Sequence, residues 1–417
     1  MMPVSDRAGQ WRHSSWAWSR AGGLVILLAL SGLAVLSLAG QARAAEPWAY
    51  IRAYENLQER IARGDRKALK SLPAFQRFLY RRFRRYPPAV WKKRRNAEAM
   101  FIWLLSGGPP RLGEWMMRER IGINLPEGAL EGAVAHARGD NVRAWRRLAR
   151  VPEEALSRIA RAHLLLARAG LRGAGHPREA LAMLARVRLL APGTLLEEAA
   201  LRRGLWLAGM EADIEAVIAI AGRYIRRFSR SLYGEDFLRR LSFILVRLDI
   251  GVSPSPLERL APVLPRLSQR QRALLHAAVA RQAVLDGKHR LGAMAASRAL
   301  PLYPDVKRFA ARVRLYRDAA GIARPDPEAL LADLMVLEDR LLRPRDRYLK
   351  AAAMAVGQAI MKEPDPLLPK REKTAESERK PQASPPDDDE KAFAAGAAIL
   401  ARAEALAQEI ERILKTD

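Results

Sequence analysis

The sequence predicts an all-α protein, a degenerate tetratricopeptide-like helical-hairpin solenoid, on three observations. Alanine, leucine and arginine dominate the 417 residues while aromatic residues make up only 6%, and these three lose little side-chain freedom in a helix. Runs of β-branched residues, which a sheet would favour, are nearly absent. Similar Gly- and Asp-marked turns recur, each followed by a helix rich in small residues and closed by proline, the pattern of stacked helix pairs.

The chain opens on a positive region (Arg7, Arg12, Arg20), an uncharged run from Ala21 to Gly40 and Ala42-Arg43-Ala44. That order reads as a Sec signal peptide over 1–44, cleaved near Ala44. The competing reading is an uncleaved inner-membrane anchor, because the apolar run approaches the ~20 residues that a span needs. Gly22, Gly23, Ser31, Gly32 and Ser37 dilute it and favour cleavage. Either way the rest of the chain is expected in the periplasm.

Residues 45–362 read as successive hairpins. Gly64-Asp65 leads into Ala68-Leu69, Gly139-Asp140 into Ala144-Trp145, Gly209 into Ile214–Val217, and Gly287 into Leu291 and Met294. In each, a glycine tolerates the left-handed conformation of a helix end. The second helices then stop near Pro152, Pro192 and Pro304. Thr194-Leu-Leu-Glu197 reads as a capping box, in which hydroxyl and carboxylate satisfy each other's free backbone N–H groups. Asp326-Pro327-Glu328 is a second helix start, with aspartate at the cap and proline in the first turn. Pro254, Pro256, Pro262 and Pro265 mark a subdivision near 250–266.

From 363 to 391 prolines sit among charges and serines with almost nothing apolar, which predicts a disordered linker. Residues 392–417 read as an amphipathic helix. Ile399, Ala403, Leu406, Ile410 and Ile413 form its apolar stripe, placed either against the chain's own solenoid or on a partner.

Chemistry is limited by what is missing. Cysteine is absent, which removes disulfides, thiolate sites and a cysteine nucleophile. None of the six histidines lies three or four residues from another, so no helical two-histidine metal pair exists. Gly170-Leu-Arg-Gly173-Ala-Gly175 resembles a phosphate loop only superficially, since no strand precedes it. Glu197 and Glu198 are adjacent carboxylates without a third group for acid–base work. No serine stands in a Gly-x-Ser-x-Gly elbow. We therefore expect no catalytic residue, no cofactor and no metal.

The formal net charge is +27, and the leader's four arginines against Asp6 account for little of it. Such a surface attracts acidic partners, anionic lipid or anionic cell-wall polymer; export argues against nucleic acid. The densest segment holds Arg81, Arg82, Arg84, Arg85, Lys92, Lys93, Arg94 and Arg95, interleaved with Phe78, Tyr80, Phe83, Tyr86 and Trp91. One reading makes these eight a partner-docking surface, together with Ile399, Leu406, Ile410 and Ile413 of the last helix. The simpler reading has Phe75, Leu79, Phe83 and Tyr86 packing inward at helical spacing, with the arginines on a solvated face.

Leu189-Leu-Ala-Pro-Gly-Thr-Leu-Leu-Glu-Glu-Ala-Ala-Leu-Arg-Arg203 resembles the MotC family, periplasmic motility (chemotaxis) proteins of rhizobia and related α-proteobacteria. The resemblance continues in Ala221-Gly-Arg-Tyr-Ile-Arg-Arg-Phe-Ser-Arg-Ser231, Ile61-Ala-Arg-Gly-Asp65 and Phe101-Ile-Trp-Leu-Leu-Ser-Gly-Gly108. It implies a periplasmic accessory of the flagellar motor that binds the periplasmic part of the stator protein MotB and is required for rotation. It carries no binding residues over, and the basicity of 78–95 departs from the family pattern. A general periplasmic scaffold, held to anionic cell-wall polymer or an acidic envelope protein, is the alternative.

Overall fold

Short polar turns set the helix boundaries. Asp65 accepts from the N–H groups of Lys67 and Ala68, Asp140 from that of Arg143, and Asp213 from that of Ala216; each carboxylate satisfies donors that a helix start leaves free. Gly64 at φ +93° and Gly139 at φ +79° supply the left-handed step before the first two.

The computed structural model describes residues 45–251, 253–323 and 327–362, and their regular structure is helical throughout. The α-helices are α1 (Pro47–Ala62), α2 (Arg66–Phe83), α3 (Arg94–Leu105), α4 (Pro110–Arg118), α5 (Ala129–Arg138) and α6 (Asn141–Leu148). Then come α7 (Arg158–Arg172), α8 (Pro177–Leu190), α9 (Leu195–Met210), α10 (Ile214–Phe228), α11 (Gly234–Arg247) and α12 (Pro256–Arg259). The series ends with α13 (Gln269–Leu285), α14 (His289–Ala299), α15 (Lys307–Gly321), α16 (Glu328–Val336) and α17 (Pro344–Met361).

Most successive helices pair as hairpins, and odd-numbered ones also touch one another: α3 meets α7, α7 meets α9, then α9–α11, α11–α13, α13–α15 and α15–α17. They form one layer and the even-numbered helices the other, which is a helical-hairpin solenoid in which each pair rests on its neighbours. Helix α1 lies across the odd layer. It packs on α3, reaches α7 where Glu55 faces His163 at 3.4 Å, and touches the start of α9.

Three apolar clusters fill the space between layers, over residues 51–167, 165–200 and 201–353. The first is aromatic: Phe83 meets Trp103 edge-on at 5.2 Å and Trp91 at 5.7 Å, all three buried. Such pairs add about 1 kcal/mol each beyond burial. The proline-marked stretch lies within the third cluster, where Leu257, Leu260, Leu264 and Leu267 are buried with residues from both sides. Ser255–Glu258 and Ser268–Gln271 form capping boxes there that the sequence reading passed over.

Three local expectations need correction. Helix α9 does begin after Thr194, but not through a capping box: the Thr194 hydroxyl donates to the Ala191 carbonyl at 2.7 Å. The Glu197 carboxylate accepts instead from Gly193 N–H at 2.6 Å, held away from the cap by Arg223. Gly209 is not a turn residue. It is buried inside α9, where a Cβ would lie 2.9 Å from three atoms of Ile244; the turn falls at Ala212, with φ +53°. Pro327 occupies the cap of α16 rather than its first turn. The leader 1–44, Asp326, the linker 363–391 and the helix 392–417 with Ile399, Leu406, Ile410 and Ile413 lie outside the described residues.

Candidate functional site

The basic segment is mostly consumed by the fold. Leu79, Phe83 and Trp91 are buried, and Phe75 and Tyr86 pack against the same cluster. Around them Arg82 lies over the Tyr86 ring at 5.3 Å, Arg84 over Trp115 at 4.5 Å and Arg95 over Trp48 at 3.3 Å. Lys93 pairs with Glu46, and Arg94 with Glu98 at 3.0 Å. Arg81, Arg85 and Lys92 are exposed, with no side-chain partner among the described residues. The eight cations are thus divided between the end of α2 and the start of α3; Arg81 opens onto a recess shared with Arg77 and Arg111, and the paired Arg94 onto another shared with Arg147 and Arg150.

A second locus is built by the stretches that carry the family resemblance. The end of α1, the α8–α9 turn and the α10–α11 turn enclose a cleft of about 500 Å³. Residues 61–65, 189–203 and 221–231 all contribute to it, although they are far apart in sequence. Leu232 N–H donates to the Ala62 carbonyl at 2.7 Å, clasping the two sides. The fourth stretch, 101–108, supports α1 from behind, where the Tyr54 hydroxyl donates to the Ser106 carbonyl.

Two buried carboxylates hold this cleft. Glu197 is wholly buried and takes Arg223 Nε at 2.6 Å, with Arg227 Nε at 3.5 Å. Arg188 stands nearby; burial first, then the Arg223 charge, lower its pKa, and Glu197 opposes that. Glu198 accepts from the Tyr224 hydroxyl at 2.8 Å, and Tyr224 stacks on Phe237 at 3.6 Å. Burial raises the Glu198 pKa against the hydrogen bonds from Ser231 and Tyr224 and the Arg202 charge. Burial also raises the Tyr224 hydroxyl, helped by Glu198.

The rim is basic, with Arg63, Arg227 and Arg230 exposed beside Glu59. The arrangement can hold an acidic group on its rim. The inner carboxylates are committed to the protein's own donors. Sequence reasoning missed Glu198, Arg223, Arg227 and Arg230 as site residues. The visible signal was the arginine-rich end of α10, overshadowed by the denser run at 81–95.

Among the described residues no helix is long and apolar enough to cross a membrane, and no three acidic or histidine side chains cluster to hold a metal. The sequence model of the family described as chemotaxis protein MotC matches residues 13–417. The chemotaxis protein MotC of Rhizobium meliloti (strain 1021) is 27% identical over 353 residues, covering 82% of this chain and 79% of that protein. No solved structure matches the chain.

Proposed function

The chain belongs to the MotC family of chemotaxis proteins, and on that premise we propose that it is a periplasmic accessory of the flagellar motor that docks the periplasmic part of the stator protein MotB. Its role is binding rather than catalysis. The leader 1–44 exports it by the Sec route, with cleavage near Ala44. The solenoid then presents surfaces built from several hairpins, as repeat proteins do.

The observation that carries this reading is the convergence of 61–65, 189–203 and 221–231 on one cleft with a basic rim. Packing alone requires each stretch to satisfy its own hairpin. Their meeting across the solenoid gives them a common surface, and Arg63, Arg227 and Arg230 suit it to acidic groups on the stator protein.

Titration calorimetry of purified Ala45–Asp417 with the periplasmic portion of MotB from the same organism tests the proposal. Saturable one-site binding that Arg227→Glu with Arg230→Glu weakens at least about tenfold is expected. Absence of binding at both low and moderate salt overturns it. Arg81, Arg85 and Lys92 support a second reading, a scaffold held to anionic cell-wall polymer. That reading predicts sedimentation with peptidoglycan that salt abolishes, because exposed charges are screened.

A further inference from the structure

Past the cleft α9 turns a partly exposed face outward. Ala199, Arg202, Arg203 and Trp206 follow Glu198 at helical spacing, so the next two turns lie about 10 Å further on. There the C-terminal halves of α7 and α9 and the face of α11 enclose a groove of about 580 Å³. Its floor is small: Ala169, Gly170 and Ala199. Its walls are Arg203, Trp206 and Arg240. We propose that this groove docks an acidic segment of a protein partner, its carboxylates on Arg203 and Arg240 and an apolar side chain against Trp206.

Three independent features support this. The first is depth. A Cβ at Gly170 would come 3.1 Å from Arg203 Nη1, and one at Gly173 3.3 Å from Leu207 Cδ2. The glycines of 170–175 let α9 sit close to α7 and leave the groove open above them. Arg203 Nη1 donates to the Leu166 carbonyl at 2.7 Å, which fixes its guanidinium at the wall.

The second is apolar exposure. Trp206 and Phe243 stack at 6.5 Å and 19°, yet each is 42% exposed, and Met210 beside them is 47% exposed. A half-exposed aromatic pair next to arginine is the composition that protein contacts favour.

The third is charge. Arg202, Arg239 and Arg240 all turn on the single carboxylate of Asp236, at 3.9, 3.5 and 2.9 Å. Arg247 rests on Met210 Sδ at 3.2 Å. One carboxylate among so many arginines leaves a positive surplus that an acidic segment neutralises. A second copy of the chain, with the same +27 formal charge, would be repelled. Anionic polymer alone would make no use of the Trp206–Phe243 face.

The inference rests on the reading of the chain as a protein-binding accessory, and its test separates the two. Because cysteine is absent, Gly175→Cys gives one attachment point at the groove edge, where a Cβ meets nothing. The full mature protein carrying a benzophenone there is mixed with a fluorescein-labelled peptide of glutamate, aspartate and leucine, or with its glutamine–asparagine counterpart.

The acidic peptide should crosslink and the neutral one should not. Trp206→Ala and Arg240→Ala, both exposed and both checked for native helix content, should each weaken peptide binding about tenfold, while Arg308→Ala with Arg345→Ala, exposed on other hairpins, leaves it unchanged. No crosslink, or equal losses for groove and control variants, overturns the groove. If neither peptide crosslinks while the MotB portion binds parent and groove variants alike, the groove is wrong and the motor reading stands. If the peptide docks in the groove while the MotB portion does not bind, the groove stands and the motor reading falls.

Discussion

Replacing Glu197 with alanine should loosen the cleft more than any other single change at its base. The side chain is wholly buried, while its partners Arg223 and Arg227 are 36% and 42% exposed. Breaking a fully buried ion pair costs about 3–5 kcal/mol. Partial exposure lets both guanidinium groups recover water, which discounts the figure to about 2–3 kcal/mol. The lost bond from Gly193 N–H lies within that sum, because the amide is at an exposed turn. Arg188, Arg223 and Arg227 are then left facing one another without a counter-charge.

In a unit of this size each kcal/mol moves the melting temperature by roughly 2 °C, so Glu197→Ala should melt about 5 °C below the parent by far-UV circular dichroism. Glu197→Gln keeps the shape and should lose about half as much. Adding Arg223→Ala to Glu197→Ala should recover part of the loss, since the two side chains touch and their effects are not additive. A Glu197→Ala protein that melts within about 1 °C of the parent, with additive effects in the double variant, would refute the account of the cleft.

Three further outcomes follow from the packing. Asp346, nearly fully buried on α17, accepts from the Tyr316 hydroxyl at 2.9 Å and from Arg281 and Arg312 at 3.2 Å each; Asp346→Ala should release α17 by about 3 kcal/mol, read as faster proteolysis between 337 and 343. His276 is buried, and burial, then Arg298 and Arg272, hold its pKa at about 4 against 6.5 unfolded. Its contribution is therefore complete above pH 6.5 and falls by about 3 kcal/mol as pH drops towards 4; urea titrations of His276→Leu should show a flatter acid limb, and an unchanged limb would count against this. Gly209→Val should destabilise by about 2 kcal/mol through the clash with Ile244, and Ile244→Ala in the same chain should relieve it; no relief would place the strain elsewhere.

The caps at Asp65 and Asp140 and the left-handed turns at Gly64, Gly139 and Gly287 were legible in the sequence because both partners lie within a few residues. The inward stripe of α2 was legible for the same reason, as helical period alone places Leu79 and Phe83 on one face. The corrections share the opposite cause. Gly209 looked like a helix end and is a contact with a residue on another hairpin. Glu197 looked like half of a capping box, and Arg223, a helix away, pulled it out of that role.

The amino-acid order by itself determined the helices, their pairing into hairpins and the surplus of positive charge, because these depend on backbone preference, period and composition. Only the tertiary structure decided where that charge borders an open recess. Trp48 and Trp115 claim Arg95 and Arg84, whereas the α1 clasp and the small residues of α7 leave open recesses beside Arg227, Arg230, Arg203 and Arg240. Stacking brings side chains from distant hairpins within a few ångströms, and the range of a charge or a ring contact is set by that distance and not by separation along the chain.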